Sequence, residues 1–83
     1  ELRSFGNLRK RLAGVLLDAS RIAGLQGGQA DLLDITQQNL ADIIGASRER
    51  VATVLTEWRE AGIIKTHRGG VRIMRRDDLV KLL

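Results

Sequence analysis

The chain has 83 residues, is 43% hydrophobic and carries a formal net charge of +4, so it is one small globular domain with a modest core. It has no Cys and one His, which excludes disulfides, thiolate metal centres, a thiol nucleophile and the usual His-based zinc sites. No apolar run approaches the ~20 residues of a membrane span, and two aromatics, Phe5 and Trp58, are too few for a base-stacking platform.

The absence of Cys fits the cytoplasm. The chain starts at Glu1 rather than Met, and reads as a piece of something longer or a processed product. The isoelectric point near 10.7 suits a polyanionic partner. The charge is unevenly spread. Arg48 to Arg76 holds eight bases against the three acids Glu49, Glu57 and Glu60, whereas Ile22 to Ser47 holds three Asp and no base.

From about Arg3 to Ala23, Leu8, Leu12, Val15, Leu16, Ala19, Ile22 and Ala23 recur at three and four residues, one stripe of an amphipathic helix. Gly14 interrupts it, by close packing or by plain tolerance. Gly24 and the pair Gly27-Gly28 end the helix in a loop. Leu32, Leu33 and Ile35 form an apolar patch too short to assign to a strand or a connection.

Thr36 is a good N-cap, with Asn39 where a full capping box has Glu or Gln. Ile35 and Leu40 fall at the positions of a hydrophobic staple. The short helix that follows puts Leu40, Ile43 and Ile44 on one side and stops at Gly45. Ser47 caps the next helix, about Arg48 to Ala61, with Val51, Val54, Leu55 and Trp58 inward and Gly62 as its left-handed terminator. Ile63–Thr66 and Val71–Met74 read as strands joined by the turn His67, Arg68, Gly69 and Gly70. Asp77 caps a last short helix with Leu79, Val80, Leu82 and Leu83.

Two capped helices around Gly45-Ala46 make a helix-turn-helix, and the hairpin makes it winged. The fold class is therefore α+β and mainly helical: a three-helix core, a β-hairpin wing and a short C-terminal helix over residues 1–83. The outer face of the longer helix carries Glu49, Thr53, Thr56 and Glu60, flanked by Ala52 and Arg50, with Arg48 in the first turn. In a helix-turn-helix this N-terminal part enters the major groove. Arg48 can bond guanine in a bidentate way and Glu49 can accept from cytosine. The small Ala52 permits close approach, and Thr53 can meet a thymine methyl or a phosphate. Arg68 and Arg72 add positive charge on the wing, and Gly69-Gly70 lets backbone N–H groups approach a phosphate or simply forms a tight turn. His67 reads as a wing-tip surface residue, Asp77-Asp78 as a helix start and Trp58 as core.

The run ITQQNLADIIGASRERV at Ile35 to Val51 resembles the helix-turn-helix of the cyclic-AMP receptor protein/Fnr (Crp/Fnr) family of bacterial transcription regulators. Val54 to Ile64 and the basic hairpin up to Val71-Arg72-Ile73 are also similar to it, and Arg3 to Ala23 is more loosely similar to the helix that opens that family's DNA-binding domain. The resemblance implies base contacts by Arg48 and Glu49 and phosphate contacts by Thr36, Ser47 and Arg50; Gln37, next to Thr36, is a further candidate for a phosphate contact. Where the family often has a further Arg, this chain has Thr53. It further implies double-stranded DNA as partner, a homodimeric parent, a contact with RNA polymerase, and a cyclic nucleotide or other effector held by a domain outside these residues, which themselves hold no cofactor. The alternatives are a winged-helix protein-interaction module, which calls for an apolar exposed patch on the long helix, and an enzyme. For an enzyme there is no nucleophile–base pair, phosphate-cradling loop or metal cluster.

Overall fold

A computed structural model gives the fold; it describes the backbone of residues 2–83 and the side chains from Phe5 onward. The elements are α1 (Leu2–Leu25), β1 (Leu32–Leu33), α2 (Gln37–Ile44), α3 (Arg48–Glu60), β2 (Ile64–His67), β3 (Gly70–Ile73) and α4 (Arg76–Val80). The three strands form an antiparallel sheet in the order β1-β3-β2. The short apolar patch is thus resolved as a strand, with Leu32 opposite Arg72 and Leu33 opposite Val71.

One apolar cluster joins these elements. Leu8, Leu12, Ala13, Leu16 and Leu17 of α1 meet Leu40, Ala41 and Ile44 of α2 and Val51, Val54, Leu55 and Trp58 of α3. Leu33, Ile64, Val71, Ile73 and Leu79 close it from the sheet and α4. Neither short helix could stand alone, so burial of these faces is what stabilises them. Ser20 is buried among them and accepts a hydrogen bond from Arg76 Nη1 at 2.7 Å, so its hydroxyl is satisfied and α4 is tied to α1.

Two expected core residues lie outside it. Ile43 is 60% exposed, because the buried arc of α2 is Leu40, Ala41 and Ile44 and Ile43 falls beyond its edge. Ile22 is 45% exposed for the same reason: the α1 stripe runs through Ala13, Leu17 and Ser20, and Ile22 is turned away from it. Gly24 lies inside α1 and does not end it; Gly27, at φ +82°, provides the left-handed turn after Leu25.

The caps explain the other boundaries. Thr36 Oγ1 accepts from the Asn39 N–H, and Asn39 Oδ1 accepts from the Thr36 N–H at 3.1 Å. Asn39 therefore closes the box that Glu or Gln usually completes. After α3, the Ile63 N–H reaches the Trp58 carbonyl and the Gly62 N–H the Arg59 carbonyl, with Gly62 at φ +78°. This double closure needs a left-handed residue, and Gly supplies it without Cβ strain.

Asp77 is not the cap of α4. Arg75 precedes that helix without a side-chain cap bond, and Asp77 and Asp78 sit in its first turn, where negative charge is favoured by the helix dipole. The wing strands are each shifted from expectation by a residue, and the turn contains only Arg68 and Gly69 because His67 pairs with Gly70.

Candidate nucleic-acid interface

The turn between α2 and α3 sets the site. Gly45 adopts φ +78°, and its N–H and that of Ala46 both reach the Ala41 carbonyl. Arg11 of α1 donates to the Ile44 carbonyl, placing a cation at the C-terminal end of α2. Ser47 Oγ then accepts from the Arg50 N–H at 3.2 Å and starts α3.

With Val51, Val54, Leu55 and Trp58 buried, the helical repeat turns Glu49, Thr53 and Glu60 to solvent. Arg48 is exposed and has no ion pair among the described residues. Ala52 is half-buried beside it. The Thr53 hydroxyl donates to the Glu49 carbonyl at 3.0 Å, leaving its methyl and an acceptor lone pair outward.

Between the starts of α2 and α3 and the wing lies a cleft of about 510 Å³. Thr36, Gln37, Arg48, His67, Gly69 and Gly70 all border it. Residues far apart in the chain are thus brought to one concave surface, with Arg68 and Gly69 exposed at the wing turn.

Three expected contacts have other surroundings. Gly70 is buried, and a Cβ there would overlap the Leu33 carbonyl oxygen and the His67 ring. Its glycine is required by the close approach of β1. Arg72 donates to Asp31 Oδ2 at 3.0 Å, so its guanidinium is already engaged within the chain. Arg50 lies on the other flank of α3, with its guanidinium carbon 5.1 Å from the Phe5 ring centroid.

The eight bases of Arg48 to Arg76 are therefore not eight free charges. Arg75 pairs with Asp78 at 3.0 Å, whereas Arg76 and Arg59 are engaged by neutral hydroxyls, those of Ser20 and, at 3.4 Å, Thr66, and keep their charge. Arg48, Lys65 and Arg68 stay exposed without an ion pair among the described residues.

Sequence reasoning missed the contacts that hold α3. Arg9 Nε and Nη2 grip the two Glu57 carboxylate oxygens at 2.7 and 2.8 Å. That hydrogen bonding holds the Glu57 carboxyl below its ordinary range; partial burial opposes the shift and the charge attraction assists it. The same bond raises the Arg9 guanidinium above its ordinary value. Helical periodicity puts Phe5 and Arg9 one turn apart, but nothing local names their partners on α3. Among the described residues there is no group of three His, Asp or Glu able to hold a metal, and no helix long and apolar enough to cross a membrane.

Three helices with a helix-turn-helix and a hairpin beside its second helix define the winged helix-turn-helix class. The profile of the Crp-like helix-turn-helix domain matches residues 10–82, and the chain belongs to that family. It is similar over 98% of its length to the catabolite activator protein of Thermus thermophilus, at 32% identity and a TM-score of 0.80, and covers 36% of that protein. A Crp/Fnr-family regulator from Eubacterium rectale is 29% identical over 90% of the chain, with a TM-score of 0.76 and 32% of that protein covered. A second Thermus thermophilus protein, a CRP/FNR-family transcriptional regulator, is 25% identical over 90% of the chain, with a TM-score of 0.75 and 39% covered. The chain thus spans about a third of the length of these structures. No curated protein matches it.

Proposed function

We propose that the chain is the sequence-specific, double-stranded-DNA-binding domain of a cytoplasmic bacterial transcription regulator. The N-terminal half of α3 enters the major groove and the wing lies on the backbone. The observation that carries this reading is Arg48, exposed and without an ion pair among the described residues, beside Glu49 at the start of α3 and bordering the cleft between α2 and the wing.

Arg48 and Glu49 read base edges, Ala52 permits close approach, and Thr53 offers a methyl to thymine or a hydroxyl oxygen to a donor. Thr36, Gln37, Ser47, Arg68 and Gly69 hold phosphates around them, and these contacts fix register without reading sequence. Arg50 and Arg72 join them only by leaving Phe5 and Asp31. In a homodimeric parent, two copies of α3 would occupy successive major grooves about 34 Å apart. The parent's effector, such as a cyclic nucleotide, would bind outside these residues, and RNA polymerase would be a further partner.

The protein-interaction alternative calls for an apolar outer face on α3. The exposed large hydrophobics among the described residues are Ile22, Leu25, Ile43, Met74, Val80 and Leu83, none of them on α3. Selection of bound duplexes from a random pool by the intact parent dimer tests the proposal. Recovery of a near-palindromic site with half-sites one helical turn apart is expected. A recovered pool as random as the input, or no retention on duplex at low salt, overturns it.

A further inference from the structure

Phe5 and Arg9 stand one turn apart on α1, and Arg50 and Glu57 two turns apart on the flank of α3 that faces it. Arg9 is committed, since both its bonds go to Glu57 and its guanidinium carbon is 5.9 Å from the Phe5 centroid. Arg50 is held differently. Its side chain makes no ion pair and no hydrogen bond among the described residues, and the Phe5 ring at 5.1 Å is what it rests on. The ring lies beside both guanidiniums, and its negative face offsets their mutual repulsion.

We propose that Phe5 is a positioning residue that seats Arg50 away from DNA, and that Arg50 exchanges the ring for a backbone phosphate when a duplex binds. This rests on the DNA-binding reading above. Arg50 is the third residue of α3, close to the end that enters the groove, and its long side chain can swing about the helix flank. A partly exposed cation–π contact is weak, whereas a charge-assisted bond to phosphate is strong, so the duplex wins the guanidinium. Affinity is then set partly by the first turns of α1. Any shift of those turns relative to α3 changes how readily Arg50 is released.

The test is titration of a random-sequence duplex across a salt series, comparing the native chain with Phe5→Leu, Phe5→Trp and Arg50→Gln. Phe5→Leu is expected to tighten binding about two- to fivefold with an unchanged salt slope, because only the free state loses a contact. Phe5→Trp keeps a π face and restores native affinity. Arg50→Gln weakens binding and lowers the salt slope by about 0.9, the signature of one lost phosphate contact. Unchanged or weaker binding by Phe5→Leu, or a native slope for Arg50→Gln, overturns the exchange. If the native chain binds and Arg48→Ala loses selectivity while Arg50→Gln behaves as native, only the exchange fails. If the native chain binds no duplex, the DNA reading fails and the exchange with it.

Discussion

On the flank of α3 that faces α1, the long side chains are engaged: Glu57 is gripped by Arg9 and Arg50 lies over Phe5. On the flank that faces the wing, Arg48 is exposed without an ion pair among the described residues, and Arg59 reaches only Thr66, at 3.4 Å. One side of the helix is held against the scaffold and the other is kept available. A helix that reads base edges needs both, because an untethered rod could roll and a fully paired one would have nothing to offer. Positive charge near the wing is therefore a poor measure of the interface. Arg72 and Arg75 look equivalent to Arg48 in the sequence, yet Asp31 and Asp78 already occupy them.

The largest effect is expected on the wing side, from Gly70→Ala. The new methyl overlaps the backbone oxygen of Leu33, which can yield only if β1 separates from β3. A loss of about 3 kcal/mol is expected, read from the denaturant midpoint. A stability within error of native would mean that β1 is not held where Gly70 requires it.

Arg48→Ala tests the available flank directly. It is expected to cost about 2 kcal/mol in binding and to relax preference at one base pair, read by titrating the selected duplex against single-base variants. Arg68→Ala, at the wing turn, serves as the contrast, since a phosphate contact weakens all duplexes alike and flattens the salt slope. Equal losses on all duplexes for Arg48→Ala would move Arg48 into the second class.

On the tethered flank, Glu57→Gln removes one charge from the Arg9 pair. Both side chains are partly exposed, at 28% and 46%, so screening limits the expected loss to about 1 kcal/mol despite the bidentate geometry. The sign of its pH dependence is fixed. A carboxyl held below its ordinary value stabilises the fold above that value, and the stabilisation fades as pH falls below about 4.5 toward the lowered folded-state value. Native protein and variant are thus expected to differ in thermal midpoint at neutral pH and to converge in acid. A gap that persists into strong acid would rule out the ion pair as its origin.

What the sequence made legible was local. Ser47 and Gly62 mark the ends of α3 through side-chain and φ requirements that act within a few residues, and the structure has them there. The spacing of Val51, Val54, Leu55 and Trp58 fixed the buried face of α3, and with it the outward turn of Glu49 and Thr53. The errors came where the outcome depends on a distant neighbour. Ile43 is apolar enough for the core, but α1 and α3 cover α2 only as far as Leu40, Ala41 and Ile44. Gly70 reads locally as half of a tight turn, but β1, 37 residues earlier at Leu33, makes it a packing glycine. The Arg72–Asp31 and Arg9–Glu57 pairs span 41 and 48 residues, and no periodicity links their members.

Gly14→Ala is expected to have the smallest effect, and it isolates stability from binding. Gly14 lies within α1, where glycine costs the helix through its conformational freedom. A Cβ there would meet Leu83 Cδ2 at 3.8 Å, an ordinary contact, so close packing does not require the glycine. The substitution is expected to stabilise the fold by about 0.5 kcal/mol, raising the melting temperature by roughly 2–4 °C. Because Leu83 packs on the side of α1 away from the Phe5–Arg9 seam, duplex affinity and salt slope are expected to remain native. A change in either would mean that α1 passes strain to α3 through its body and not only through Phe5 and Arg9, and the contrast between the two flanks would then have to be redrawn.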